Sequence, residues 1–368
     1  MKKILSIVWY KVLPPVFGGQ KGIAGFNEAL SKHYPLVCLC SNNNEPADNV
    51  LYKVLSELPT SKQQFFQPAV WNKIVSVARK ENPSFIILEH PYHAIGAKKA
   101  MKATGAKLIL HSHNIESERF RHLGKWWWRF LRSYEKGIHG KATLSIFKTE
   151  LDRDFAIEQF GLEPGKCIVI PYGIERPVVN QDAETMIRER HKISSEERIF
   201  LFAGTLDYQP NADAVENIHS RIIPALEKSG IAFKIIICGR NRDNRFGYLE
   251  EYSDPHVINV GEVGDIDNYF QAADMFINPV LTGGGIQTKN IDAIANHCSV
   301  ICFDSMTTGL PAGICGNKLS AVPDNDWQAF VDKLIQASKH KERTPESFFT
   351  YFDWQNCITP LLKKLKTL

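Results

Sequence analysis

The sequence predicts two α/β domains in tandem, each a doubly wound parallel sheet with helices on both faces, and three observations predict it. Apolar runs of four to six residues recur along the whole chain, the pattern of strands buried on both faces. Amphipathic stretches separate those runs, as crossover connections between parallel strands require. The length of 368 residues suits two domains, each large enough to bury its own core.

The elements follow in order. The strand-like runs of the first half are KILSIVWY (3–10), PLVCLC (35–40), SFIILEH (84–90), KLILHSHN (107–114), KATLSIF (141–147) and KCIVIPYG (166–173). IAGFNEALSKH (23–33), AIGAKKAMKATG (94–105) and the stretch opening KTELDRDF (148–155) read as the helices between them. Residues 170–185, IPYGIERPVVNQDAET, hold two prolines and no sustained periodicity, so the interdomain linker is expected there. RIFLFAGTL (198–206), FKIIICG (233–239), HVINVG (256–261), MFINPV (275–280) and SVICFD (299–304) then repeat the pattern, with helices predicted over 211–230, 265–274 and 286–297. A helix over 324–340 and the terminal FDWQNCITPLLKKLKTL (352–368) close the chain. The organisation is thus two Rossmann-like domains, 1–172 and 173–345, with residues 346–368 as a C-terminal helix crossing back to the first. Ligands of open α/β sheets bind at the carboxyl ends of the strands, so the active site is expected in a cleft which the two domains face.

Composition narrows the class. Apolar content of 44% and charged content of 23% are ordinary for a globular protein and wrong for a disordered or fibrous one. The eight cysteines form no C-x-x-C pair and mostly sit in strand-like runs, so they read as small buried hydrophobes in a reducing compartment. The N-terminal apolar run is short and lacks a small-residue cleavage site, and no window approaches a membrane span, so a cytosolic protein is expected. The charge is uneven: residues 1–170 hold 24 Lys and Arg against 14 Asp and Glu, and residues 171–368 hold 20 against 26. The basic half prefers anionic surroundings, which by charge alone are phosphorylated substrates, anionic lipid or nucleic acid.

Five constellations carry chemistry. Gly18 and Gly19, in FGGQKG directly before a helix, let backbone approach an anion at a helix N-terminus, or else form an ordinary Gly-rich turn. The expected G-x-G-x-x-G is absent after the first strand, which argues against NAD. KLILHSHNIESER ends a strand in His111, His113, Asn114, Glu116 and Glu118, and His113 is the residue chosen to contact a substrate hydroxyl or leaving-group oxygen. His111 faces the same way two residues earlier, but no carboxylate or cysteine set is apparent to complete a metal site. RHLGKWWWRFLRSYEKGIHGK (121–141) sets Trp126, Trp127 and Trp128 among basic residues; on one helix the three rings span about 200°, so at least one is exposed, as at an anionic membrane interface. No nucleic-acid-binding module accompanies the segment. FAGTLDYQPNAD places Gly204 and Thr205 at a strand end, with Asn211 as the expected N-cap. NPVLTGGGIQTKNIDAIA is the most specific: Gly284, Gly285, Ile286 and Gln287 offer amides to an anion, Lys289 adds a charge, and Asp292 lies one turn on, a set suited to the diphosphate and ribose of a nucleotide sugar.

In their order and spacing these segments resemble a GT-B glycosyltransferase, most closely family 4 of the retaining enzymes, over nearly the whole chain. The resemblance implies that Gly18 and Gly19 approach the donor phosphate, that His113 contacts the donor sugar, and that Asp292 binds the ribose. It implies that Lys289 and the amides around Ile286 and Gln287 hold the pyrophosphate and that Arg240 lies near the nucleotide. Domain 1–172 would bind the acceptor and 173–345 the donor, with no bound metal and no cofactor besides the nucleoside-diphosphate sugar. The implied reaction moves a hexose to a lipid-linked or polysaccharide acceptor in cell-surface glycan synthesis, without nucleic acid, in peripheral contact with the inner face of the plasma membrane. Three departures bear on donor identity: of the family's two glutamates, Gly284 stands at the first and Asp292 shortens the second; the basic residue that many members carry in the first turn of the donor domain is not obvious in GTLDYQPN; and Tyr172 replaces a frequent asparagine. A nucleotide-sugar epimerase or hydrolase using Glu116 and Glu118, or a degenerate scaffold that binds without turnover, are the alternatives.

Overall fold

The computed structural model describes residues 2–241, 245–283, 285–339 and 341–368. The chain divides into two compact units, Met1–Gly173 with Phe352–Leu368, and Ile174–Tyr351.

The sheet of the first unit is built from β1 (Ile4–Ile7), β2 (Leu36–Ser41), β3 (Lys53–Leu58), β4 (Phe85–Glu89), β5 (Lys107–Ser112), β6 (Leu144–Phe147) and β7 (Cys167–Val169). All pair in parallel in the order β3-β2-β1-β4-β5-β6-β7. Because successive side chains leave a strand on opposite faces, each strand feeds two cores. Phe85 and Ile87 join Ile23, Phe26 and Leu30 on one face, while Ile86 and Leu88 join Val70, Ile74 and Ala97 on the other.

The C-terminal helix Trp354–Thr367 belongs to this unit and lies on the first helix, Gly18–Ser31. Its Trp354 indole fills the space that a Cβ at Gly25 or Gly173 would need. Gly25 and Gly173 are therefore required as glycine by packing, whereas a Cβ at Gly19 would meet only ordinary contacts.

The sheet of the second unit comprises β8 (Arg198–Ala203), β9 (Phe233–Cys238), β10 (Val257–Gly261), β11 (Met275–Asn278), β12 (Ser299–Phe303) and β13 (Leu319–Val322). Its parallel order, β10-β9-β8-β11-β12-β13, repeats the first six positions of the other sheet. Strands β3 and β13 escape the sequence reading for one reason. Both are outer strands, partly exposed, with mixed composition (KVLSEL and LSAV) in place of an apolar run.

Two local expectations are corrected. The tryptophans do not share a helix: Gly124, at φ +66, sits in a break between the helices Glu116–His122 and Trp128–His139. Trp126 stands in that break, 79% exposed. Asn211 is not an N-cap, because the helix Gln209–Asn217 starts earlier, after Tyr208, with Pro210 tolerated in a first turn whose amides lack helical partners. The eight cysteines are buried and free. Among the described residues no helix is long and apolar enough to cross a membrane.

Candidate active site

In the first unit, the carboxyl ends of β4 and β5 bring ionisable side chains into van der Waals contact. Sheet register places Glu89 opposite His111. The buried Glu89 carboxylate lies 2.9 Å from His111 Nδ1 and 2.6 Å from His113 Nε2. The His113 ring stacks on His90 and packs at a tilt against His111, with centroids 4.4 and 4.3 Å away. His90, held at φ +64, donates its backbone amide to the carbonyl of His111. That left-handed conformation is costly for a side chain with a Cβ and marks a position fixed by its surroundings.

Burial is the main reason that His113 stays well below the ordinary imidazole pKa, with His111 and His90 adding to it and Glu89 opposing. His111 is lowered in the same sense, first by burial and then by Lys148 and His90. Both rings are neutral at pH 7. Lys148, just after β6, is buried against the Phe26 ring with no hydrogen-bond partner for its Nζ among the described residues, and burial brings its pKa down to about 8.

Glu116 and Glu118 do not form an acid and base pair. Glu116 is buried with its oxygens occupied by Tyr92 Oη (2.8 Å), Arg119 Nη1 (3.2 Å) and His90 Nδ1 (3.3 Å). Burial pushes its carboxyl up, but the bonds from these partners hold it below the ordinary carboxylate range. Beneath it Glu135 accepts from the amides of Glu116 and Ser117, and burial raises Glu135 to about 7. Glu118 pairs with Arg121 at 2.6 Å.

Glu89, His111 and His113 also form a group of potential metal ligands, with donor atoms within 4.8 Å of one another. Their closest approaches of 2.6 and 2.9 Å are hydrogen-bond distances. A tetrahedral ion with bonds of about 2.0 Å holds its ligand atoms about 3.3 Å apart, so this spacing fits shared protons better. Glu89 is the residue that sequence reasoning missed. Its signal is a single charge closing the apolar run FIILE, in a strand otherwise accounted for by packing.

Gly18 and Gly19 open the first helix of this unit, after Phe17. Gln20 Oε1 accepts from the Val16 amide at 2.7 Å while its Nε2 donates to the Lys11 carbonyl, which pins the preceding loop.

In the second unit backbone and amides converge instead. The loops after β8 and β9 continue strand pairing: Gly204 N bonds Cys238 O and Leu206 N bonds Arg240 O. A Cβ at Gly239 would collide with the Gly204 carbonyl, and one at Gly204 would press on Asn211, so both glycines serve close approach. Asn211 Nδ2 donates to the Thr205 carbonyl and Asn211 Oδ1 accepts from Lys289 Nζ, each at 2.8 Å. Thr205 and Lys289 are thus linked through Asn211, against which Gly204 packs.

Burial lowers Lys289 to about 7. It sits in the first turn of the helix Thr288–Ala295, entered through Gly285 at φ +77, Ile286 and Gln287. Ile286 packs where a Cβ on Gly309 would lie, and Asn290 bridges Asn278 and the Met306 carbonyl, fixing that helix to β11. Asp292 is half-buried one turn further on. Gly284 lies outside the described residues.

Two parallel sheets of one strand order, each with chemistry at the carboxyl ends of its strands, are the architecture of the GT-B fold. Residues 18–176 match the model of Glycosyltransferase Family 4 and residues 197–340 that of Glycosyl transferases group 1, together well over half the chain. The chain belongs to this family of group 1 glycosyltransferases. No curated protein matches it in sequence. Among solved structures it resembles sucrose-phosphate synthase from Thermosynechococcus elongatus (TM-score 0.77, 15% identity, covering 100% of this chain and 99% of that one). It also resembles HepE of Anabaena in complex with UDP-glucose (TM-score 0.74, 13% identity, 99% and 100%). A third likeness is to WaaG, a glycosyltransferase involved in lipopolysaccharide biosynthesis (TM-score 0.68, 13% identity, 97% and 95%). At these identities the likeness is one of fold.

Proposed function

We propose that this glycosyltransferase is a retaining hexosyltransferase that takes its sugar from a nucleoside diphosphate and passes it to a lipid-linked or polysaccharide acceptor in cell-surface glycan synthesis. The observation that carries the reading is Lys289, an amine at a helix N-terminus whose hydrogen-bond partner is the neutral Asn211. A lysine kept near its titration point by burial gains most from an arriving dianion, and the helix end adds free amides and a positive dipole.

In this reading the diphosphate lies against Lys289, the amides of Ile286 and Gln287, and Gly284 and Gly285. Asp292 takes the ribose hydroxyls, while Gly204, Thr205 and Arg240 border the nucleotide. Gly18 and Gly19 approach the donor phosphate, and His113 binds the hexose. As the bond between the anomeric carbon and the diphosphate oxygen breaks, negative charge grows on the leaving group and positive charge on the sugar ring. Fixed amides and the Lys289 ammonium then stabilise the transition state more than the ground state. This clamp supplies the countercharge for the leaving diphosphate, so the reaction proceeds without a bound metal and survives chelation with EDTA.

The acceptor falls to the first unit, which presents Trp126 and Phe130 (79% and 71% exposed) among Lys125, Arg129 and Arg132. Aromatic rings set among basic residues suit an anionic bilayer surface, supporting work at the inner face of the plasma membrane.

The test is thermal shift against UDP, GDP, ADP and TDP and their hexose conjugates, starting with UDP-glucose because HepE is described in complex with it. One nucleotide should raise the melting temperature of the wild type and not that of Lys289→Ala or Asp292→Ala. Proton NMR of the product should show the donor's anomeric configuration. No shift with any nucleotide, or an inverted product, overturns the reading.

A further inference from the structure

Glu89 touches two histidines at once through its carboxyl oxygens, which accept from an imidazole N–H. Its 2.6 Å contact therefore requires a proton on His113 Nε2, and its 2.9 Å contact requires one on His111 Nδ1. Since a neutral imidazole carries one N–H, each bond fixes the opposite nitrogen as a lone pair. On His111 that nitrogen is Nε2, buried and bonded to none of the described residues. On His113 it is Nδ1, which bonds none of the described residues in a side chain that is 11% exposed.

We propose that Glu89 is a positioning residue that locks His113 in the Nε2–H tautomer, so that His113 meets the transferred hexose as a hydrogen-bond acceptor through Nδ1. This rests on the reading that His113 binds the donor sugar, and it deepens that reading by setting the direction of the bond. A hydroxyl of the hexose donates to Nδ1, and His113 gives no proton to the leaving group.

Three further features hold the ring in place. The ring of His90 stacks on it and that of His111 packs against it at a tilt, and the backbone bond from His90 N to His111 O ties the ends of β4 and β5 together. The buried Lys148 amine feels the Glu89 carboxyl group and is bonded to none of the described residues. The strained φ of His90 persists because the stack and the strand ends over-determine it.

The experiment combines long-range proton–nitrogen NMR of the 15N-histidine-labelled protein at pH 7 with steady-state kinetics on the nucleotide sugar identified by thermal shift. His113 in the wild type is expected to give the pattern of a pure Nε2–H tautomer, assigned by its loss in His113→Ala. Glu89→Gln removes the charge with little change of shape and should lower kcat by about tenfold to a hundredfold, with donor KM changing less than twofold. An Nδ1–H or imidazolium pattern in the wild type overturns the proposal, even where Glu89→Gln fails to fold. So does a Glu89→Gln enzyme of undiminished kcat beside an inactive His113→Ala. Stoichiometric zinc that survives dialysis in the wild type and is lost from Glu89→Gln overturns it too, in favour of a metal site. A fully active His113→Ala instead removes the underlying assignment of His113 to the sugar, while the NMR pattern still reports the bond to Glu89.

Discussion

The two sheets share a strand order but equip their carboxyl ends differently. In the first unit β4 and β5 end in ionisable groups, the buried Glu89, His90 and His111 and the partly buried His113, with Lys148, Glu116 and Glu135 around them. In the second unit the carboxyl ends of β8, β9 and β11 lead into glycines and amides, Gly204, Gly239, Asn211 and Asn278, with the Lys289 amine among them. Carboxylate and imidazole fix where protons sit, and glycine and amide fix how closely backbone can approach a ligand. The first set suits recognition of hydroxyls and the second suits recognition of a diphosphate.

The first unit also depends on the chain's final helix, since Trp354 fills the notch between Gly25 and Gly173. Trp354→Ala should cost about 3 to 5 kcal/mol of that unit's stability, and Gly25→Ala about 1 to 3 kcal/mol. Calorimetry should show an earlier transition in both variants, while the stabilisation by nucleotide survives in the second unit. Loss of that nucleotide effect in Trp354→Ala would break the comparison. Next in size, Lys289→Ala should lower kcat/KM about a hundredfold, with the fold intact by circular dichroism. An unchanged rate would leave the second unit's network a structural device.

The same lysine predicts two pH effects of opposite sign. Its folded-state pKa of about 7 lies below its ordinary value, so between pH 7 and about 10.4 the unfolded chain binds more protons than the folded one. Stability of the free protein should therefore rise through that window, with Lys148, at about 8, contributing in the same direction. A bound diphosphate recharges the amine, so donor affinity should fall, by up to about tenfold per pH unit above 7. Titration calorimetry at pH 7 and 9 checks this, and Lys289→Met should abolish the affinity slope.

The smallest expected effect on stability is at the surface. Trp126→Ser with Phe130→Ser should change it by less than about 0.5 kcal/mol while releasing the protein from anionic vesicles at low salt. Equal pelleting of variant and wild type would remove the membrane from the first unit's role.

Much of the architecture was legible because period and length are local properties. Eleven strand-like runs fall on eleven of the strands, and the two left out, β3 and β13, are outer strands whose half-exposed faces dilute the apolar signal. The helix break at Gly124 and the early start of the helix before Asn211 were misread because propensity ranks residues without seeing what they pack against.

Composition and spacing alone therefore determined two parallel α/β units, the family resemblance, and the segments that hold His113, Lys289 and Asp292. Tertiary structure alone decided that Glu89 meets His111 and His113, that Asn211 holds Lys289, and that Gly25 and Gly173 make room for Trp354. Each of these pairs residues from different strands or helices, 22 to 329 positions apart. Parallel strands set such partners side by side only after intervening helices cross over, so no local pattern in the sequence records them.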